Sequence, residues 1–324
     1  MNLQDLNSFI LGYGKFILTA HETPDGDALG SERAMYEALR QLGKQVIILN
    51  ADTTPNKYHF IDPRDTIGVL NDEAELPGDI GDYVLLILDT NDINNIGLLR
   101  DIVIPKVREY GIIDHHSGGE DVLSEHHIVE NASSTCEILY GLIKEMGCTI
   151  TKEIAESLYV GIVYDTGSFI YPKTTAKTFQ IAFDLVSIGV DPNFIYSKIY
   201  ESNSISSLIL QSKVLSSLEL FYDRHVAVQT MLKETVIECS ASYEEADTFI
   251  NIPLKSEAIR VSVFFKENLE GILRCSLRSK GNIDVAEIAQ SFGGGGHKTA
   301  AGFKCRESLE ETRRNVLHKL EKYF

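Results

Sequence analysis

The sequence predicts an α/β protein in two parts: a parallel-sheet N-terminal domain and a smaller α/β C-terminal domain, joined by a helical linker. Three observations carry this. Short continuous apolar runs end abruptly at polar residues, as strands buried on both faces of a parallel sheet do. Helical periodicity separates those runs, which is the alternation of a sheet covered by helices. The pattern then becomes helical over about 133–220 before strand-like runs return, and 324 residues leave room for two domains of roughly 100–200 residues each.

Residues 16–20 (FILTA) form the first run and lead into His21. Residues 31–42 are helical, with apolar Ala34, Leu39 and Leu42, and 45–50 (QVIILN) form the next run. Residues 83–88 (YVLLIL) lead into Asp89, and 111–113 lead into Asp114. Ligands of such sheets bind in the crevice beyond the strand C-termini, where these polar residues fall. Ser134-x-x-Glu137 reads as a capping box that opens a helix. Residues 153–164, 175–188 and 204–218 continue the helical pattern. Strands return at 225–231, 258–265 (AIRVSVFF) and 271–277, followed by a helix at 284–292, a glycine run, a short strand and an amphipathic helix at 308–323. The expected domains are 1–190, a helical linker over 191–220, and 221–324.

Charge narrows the range of partners. The chain has 30 Lys+Arg and 47 Asp+Glu, a net charge of −17. Residues 1–252 hold 17 basic and 38 acidic residues (−21), and residues 253–324 hold 13 and 9 (+4). This balance argues against a long duplex nucleic acid or an anionic membrane as partner. The five cysteines are widely spaced with no C-x-x-C, which suits reduced thiols in a cytoplasm. The first residues lack the basic stretch and cleavage site of a signal peptide, and no apolar run is long enough to span a bilayer. A cytoplasmic location is therefore expected.

Four acidic motifs carry the candidate chemistry. After the first run comes His21-x-x-x-Asp25-x-Asp27, where Pro24 and Gly26 make a tight loop that can turn both carboxylates to one side. Alone, Pro-Asp-Gly also reads as a simple turn. Asp89 follows a buried strand, where a helix N-cap is the alternative reading. Asp114-His115-His116 follows another strand. Adjacent histidines on an extended chain point to opposite sides, so one can be a metal ligand while the other does a different job. Asp114 can orient an imidazole. The pair His126-His127 has no such setting and reads as surface or strand residues. Asp165 ends a predicted apolar helix, where the macrodipole disfavours an acid and a functional reason is expected. Carboxylates converging in one crevice repel one another and stay partly protonated without cations. Two divalent ions would remove that conflict, and imidazole ligands favour Mn²⁺, Fe²⁺, Co²⁺ or Zn²⁺.

A fifth motif lies near the C-terminus: Gly293-Gly294-Gly295-Gly296-His297-Lys298. Glycine backbone N–H groups can approach an anion closely, His297 and Lys298 add donors, and upstream Arg278 can make a two-pronged phosphate contact. A Walker P-loop would need glycine at 292 and 297, where Phe292 and His297 stand.

These five motifs, in this order, resemble the DHH phosphoesterase superfamily with its DHH-associated C-terminal domain, over nearly the whole chain. Within it the chain is similar to the group of nanoRNases and pAp phosphatases, which also includes stand-alone phosphodiesterases of cyclic di-AMP and linear pApA. The resemblance implies two Mn²⁺ ions, with Co²⁺ or Mg²⁺ as alternatives. One ion would be held by His21, Asp25 and Asp89, and the other by Asp27, Asp89, His115 and Asp165, with Asp89 bridging. It implies that Asp114 and His116 stand behind the ligands or against phosphate, and that Asp89, Asp114, His115 and His116 act in catalysis. Arg278, His297, Lys298 and the backbone of 293–296 would hold a short oligoribonucleotide or a mononucleotide bisphosphate. A homodimer is also implied. The competing readings are a cyclic di-AMP or pApA phosphodiesterase, an exopolyphosphatase or pyrophosphatase, a non-catalytic nucleotide-binding module, and a processive single-strand nuclease. The last would call for a basic groove with aromatic stacking platforms, and the chain has no Trp and no Lys/Arg run.

Overall fold

A computed structural model of the chain describes residues 2–116, 127–128 and 131–324; the side chains of residues 75, 127, 128 and 297 fall outside the description. The chain divides into two compact units, Met1–Ser202 and Asn203–Phe324.

In the first unit, β1 (Lys15–Thr19), β2 (Gln45–Asn50), β3 (Ile67–Val69), β4 (Val84–Leu88), β5 (Glu109–Asp114) and β6 (His127–Ile128) form one sheet in the order β3-β2-β1-β4-β5-β6. Every neighbouring pair is parallel. The strand order therefore reverses between β1 and β4, and the crevice of such a sheet opens at that switch point. Its helices are α1 (Leu3–Leu11), α2 (Gly26–Gln41), α3 (Leu98–Ile102), α4 (Thr135–Glu145), α5 (Lys152–Asp165), α6 (Ala176–Ile188) and α7 (Pro192–Tyr200). Phe16, Leu18, Leu86 and Leu88 pack on one face against Leu6, Leu29, Leu139 and Leu158. Ile17, Leu85 and Ile87 pack on the other against Ile96, Leu99 and Val103. Burial on both faces is what makes these strands read as unbroken apolar runs.

Two local differences from the sequence reading matter for the site. Helix α2 starts at Gly26, five residues before the predicted periodicity, because Asp25 caps it: Oδ1 accepts from the backbone N–H groups of Asp27 (2.9 Å) and Ala28 (3.2 Å). Gly26 and Asp27 thus belong to a first helical turn and not to a loop. At Ser134 half of the capping box is present. Its hydroxyl accepts from the Glu137 N–H (3.0 Å), while the Glu137 carboxylate accepts from Ser133 (2.7 Å) and Thr178 (2.8 Å). Of the pair His126-His127, His126 lies outside the described residues and His127 opens β6.

The second unit holds β7 (Glu219–Phe221), β8 (Val226–Met231), β9 (Val261–Glu267), β10 (Leu273–Ser279), β11 (Gly295–His297) and β12 (Ala300–Lys304), in the order β11-β12-β10-β9-β8-β7. Only β8 and β9 are parallel. Val263, Leu277 and Phe303 pack against Val285 and Ile288 of α10 (Val285–Gln290) and Val316 of α11 (Leu309–Leu320). Phe264 and Met231 pack on the other face against Leu210 of α8 (Ile205–Ser216) and Val236 of α9 (Lys233–Cys239). Among the described residues no helix is long and apolar enough to cross a membrane.

Candidate metal centre

The acids converge at the switch point of the parallel sheet. His21 follows β1, Asp89 follows β4, Asp114 ends β5 with His115 and His116 after it, Asp25 and Asp27 open α2, and Asp165 is the last residue of α5. Three groups have ligand atoms within 4.8 Å of one another: His21, Asp25 and Asp89; Asp27, His115 and Asp165; and Asp89, Asp114, His115 and His116.

Asp89 joins them. Its Oδ2 lies 3.7 Å from His21 Nε2, and its Oδ1 lies 3.6 Å from His115 Nε2. Asp89 is buried and has a left-handed backbone (φ 63°), with its N–H bound to the Ile113 carbonyl (3.0 Å). This bend turns the carboxylate out of the strand line. Thr135 Oγ1 donates to Oδ1 at 2.9 Å.

Each imidazole is oriented from behind. His21 Nδ1 faces the Glu22 carbonyl at 2.7 Å, and His115 Nδ1 faces the Ala132 carbonyl at 3.4 Å. A carbonyl only accepts, so Nδ1 carries the proton and Nε2 presents its lone pair. The expectation that the two adjacent histidines point to opposite sides does not hold: the His116 ring centre lies 4.4 Å from that of His115, and its Nδ1 lies 3.9 Å from Asp89 Oδ1. That Nδ1 donates to Asp114 Oδ1 at 2.8 Å, and the ring is half exposed. His115 is the histidine whose Nε2 faces Asp27, Asp89 and Asp165.

Asp27, in the first turn of α2, is fully buried against the N-terminus of α4. Its Oδ2 accepts from the Thr135 N–H (2.6 Å) and its Oδ1 from the Cys136 N–H (3.0 Å). A helix N-terminus favours an anion there. The approach needs glycine. A Cβ at Gly161 of α5 would lie 2.4 Å from Asp27 Oδ1 and from Cys136 Sγ, and one at Gly30 of α2 would lie 2.4 Å from the Ser157 carbonyl.

The electrostatics are those of a buried acid cluster. Burial is the main cause holding the Asp25, Asp27 and Asp89 carboxyls above their ordinary pKa, and neighbouring carboxylates add to it. For His115, burial disfavours the charged form, but Asp165 and Asp27 outweigh it and raise its pKa. His115 Nε2 sits 2.8 Å from Asp165 Oδ2, outside hydrogen-bond geometry, and is buried without a hydrogen-bond partner among the described residues. An orphaned imidazole lone pair beside three carboxylates, those of Asp27, Asp89 and Asp165, is a donor set suited to divalent cations.

The motifs of the second unit fall at one end of its sheet. Arg278 of β10, Ala300 of β12 and His297 of β11 are aligned in register. Arg278 Nη1 donates to the Leu277 carbonyl (3.0 Å), and burial lowers its pKa. Lys298 is exposed at the turn between β11 and β12, and the His297 side chain lies outside the described residues. The glycines serve packing that sequence reasoning missed. A Cβ at Gly294 would lie 2.2 Å from the Gly302 carbonyl, and Gly296 (φ 138°) would meet the Ala300 carbonyl at 2.5 Å. Gly293 has a left-handed backbone (φ 78°), and Gly295 faces open space.

The description "DHH family, N-terminal domain" matches residues 15–162, and that of the DHHA1 domain matches residues 224–324. The chain belongs to the DHH family. A Bacteroides fragilis crystal structure described as an exopolyphosphatase-related protein is 30% identical to this DHH chain, covers 99% of it and 96% of its own length, and superposes with a TM-score of 0.92. The bifunctional oligoribonuclease and PAP phosphatase NrnA of Thermus thermophilus is 29% identical over 89% of this chain and 83% of its own. The Bacillus subtilis protein of the same name is 28% identical over 90% and 89%. This DHH chain is an enzyme, a hydrolase of phosphoester bonds.

Residues that the sequence did not point to hold the site together. Thr135, Gly161 and Gly30 act as described above. Asn50 Oδ1 accepts from the Ala20 N–H (3.2 Å) and the Thr19 hydroxyl (3.3 Å), tying the end of β1 to β2 just before His21. The one sequence signal was Ser134, whose cap places the next two N–H groups at Asp27.

Proposed function

We propose that the chain is a two-metal phosphoesterase that hydrolyses short nucleotide substrates, namely oligoribonucleotides of a few residues and the 3′-phosphate of pAp. The observation that carries this is the sharing of Asp89 between two acid–imidazole groups, one oxygen toward His21 and the other toward His115. His21, Asp25 and Asp89 would hold one ion, and Asp27, Asp89, His115 and Asp165 the other. Mixed carboxylate and imidazole donors favour Mn²⁺, with Co²⁺ or Mg²⁺ as substitutes. When bound, the ions would supply Lewis-acid polarisation of the phosphoryl oxygens and activation of water.

The chain's own residues do the rest. The α4 N-terminus and Thr135 fix the Asp27 and Asp89 carboxylates before substrate arrives, which removes reorganisation from the reaction. His116, held through Nδ1 by Asp114, has Nε2 free to give a proton to the leaving nucleoside oxygen as the P–O bond breaks, so that it departs as a hydroxyl. Arg278, Lys298, His297 and the backbone of 293–296 bind the nucleotide, with Gly295 the glycine whose surroundings are open. The relatives named oligoribonuclease and PAP phosphatase support short substrates over long ones. The test is hydrolysis with Mn²⁺ of pAp, pApA, a five-residue oligoribonucleotide, cyclic di-AMP and polyphosphate at matched concentration. Turnover of the oligoribonucleotide and pAp ahead of the others is expected. Orthophosphate from polyphosphate alone would overturn the nucleotide reading in favour of the exopolyphosphatase that the Bacteroides relative's description suggests.

A further inference from the structure

One lysine lies beside each of the two acid groups. Lys57 lies beside the His21–Asp25–Asp89 group: its ammonium is 4.8 Å from the Tyr58 ring centre and 5.7 Å from that of Tyr164. Tyr58 is buried, and Tyr164 packs on Gly26, next to Asp25. Burial lowers the Lys57 pKa, and the field of the Asp25 carboxylate opposes that shift. Lys173 lies beside the Asp27–His115–Asp165 group, with Nζ 3.1 Å from the His115 carbonyl. Both side chains belong to exposed residues, and neither forms an ion pair among the described residues. In a unit rich in carboxylates, two ammonium groups held in place by aromatic rings and a carbonyl, and not by acids, keep N–H donors free.

We propose that Lys57 and Lys173 are substrate-binding residues, each taking the oxygens of a phosphate that neighbours the reacting one. The proposal rests on the two-metal phosphoesterase reading and adds a phosphate grip on the first unit to the one proposed on the second. It makes the preference for substrates with more than one phosphate a property of the metal-binding unit itself. Lys57 serves the phosphate on the Asp25 flank and Lys173 the one on the Asp165 flank.

The experiment uses the full-length enzyme with Mn²⁺ and two substrates: pApApA, which has phosphates next to the scissile one, and bis(p-nitrophenyl) phosphate, which has none. Lys57→Met combined with Lys173→Met is expected to raise KM for pApApA about 10–100-fold, as the loss of charge-assisted hydrogen bonds predicts. Each single variant should show part of that rise, and the Lys→Arg variants should recover most of it. Turnover of bis(p-nitrophenyl) phosphate and the Mn²⁺ concentration for half-maximal rate should stay at wild-type values; a merely structural role of Lys173 behind His115 would move both. An unchanged KM for pApApA, or an equal loss on both substrates, would overturn the proposal while leaving the metal centre standing. A wild-type enzyme inactive on both substrates would overturn the phosphoesterase reading and this one with it.

Discussion

The two acid groups of the first unit are built from the same residue types and held in opposite ways. Asp27 is fully buried, and both of its oxygens accept from the first turn of α4. Asp25 is partly exposed and spends one oxygen capping its own helix, leaving Oδ2 3.8 Å from His21 Nε2. One group is fixed by long-range helix packing, the other by a local cap at the mouth of the crevice. Fixed ligands gain affinity because little order is left to impose on binding. The Asp27–His115–Asp165 group is therefore expected to hold its cation the more tightly, and the His21–Asp25–Asp89 group to exchange it.

The most severe way to break this comparison is to remove what the groups share. Asp89→Ala should abolish Mn²⁺-dependent hydrolysis, a loss of at least about 10²–10³ in kcat by analogy with removal of one charge-stabilising group, while circular dichroism stays native. Retained turnover would sink the two-metal reading. Next comes the buried group alone. Gly161→Ala drives a methyl into Asp27 and Cys136. Calorimetric titration with Mn²⁺ should then show the tight site lost and the weak one kept, with a stability loss of about 1–3 kcal/mol from overpacking. Loss of the weak site instead would reverse the assignment. Thr135→Val keeps the shape but removes the 2.9 Å bond to Asp89. Such supporting bonds are worth roughly 10–100-fold in metal affinity, and a titration that matches wild type would show that the α4 N–H groups suffice.

The mildest test separates the metal groups from a buried acid nearby. Glu32 of α2 is fully buried, accepts from Asn50 Nδ2 (3.0 Å), and burial pushes its carboxyl up to about 8. The native state keeps a proton there that the unfolded chain releases above its ordinary pKa near 4.5. Its stabilising contribution is therefore full below about 4.5 and is lost as pH rises toward 8. Glu32→Gln should flatten the fall in thermal stability between those values without touching activity at pH 7. A variant with the same slope as wild type would assign the slope to the acids of the metal groups.

How much of this could be read from the chain follows from what each feature depends on. The strands before His21, Asp89 and Asp114 were legible because burial on both faces writes an unbroken apolar run. Short β3 and β6 write no such run. The convergence of acids was legible as placement after strands, since topology brings strand C-termini to one edge. The partners of those acids were not. Gly161 and Asp27 are 134 positions apart and meet only because α2 and α5 pack closely; no local pattern marks that contact. Pro24-Asp25-Gly26 read as a loop because helix periodicity needs several turns to become visible, whereas the cap is a single side chain. The glycine run near the C-terminus suggested an anion loop, but Gly294 and Gly296 answer to close backbone approach across β11 and β12, which a sequence presents in the same letters.

The left-handed backbone of Asp89 has an energetic consequence. A non-glycine residue there costs up to roughly 1–2 kcal/mol of folding free energy, with Asp among the least penalised, and the residue that would relieve it, glycine, has no carboxylate. Without metal, Asp89→Gly should thus melt at a higher temperature than the native chain, and it does no chemistry. The shared ligand is a point at which this fold is less stable than it could be, so selection for stability alone would erase the reaction.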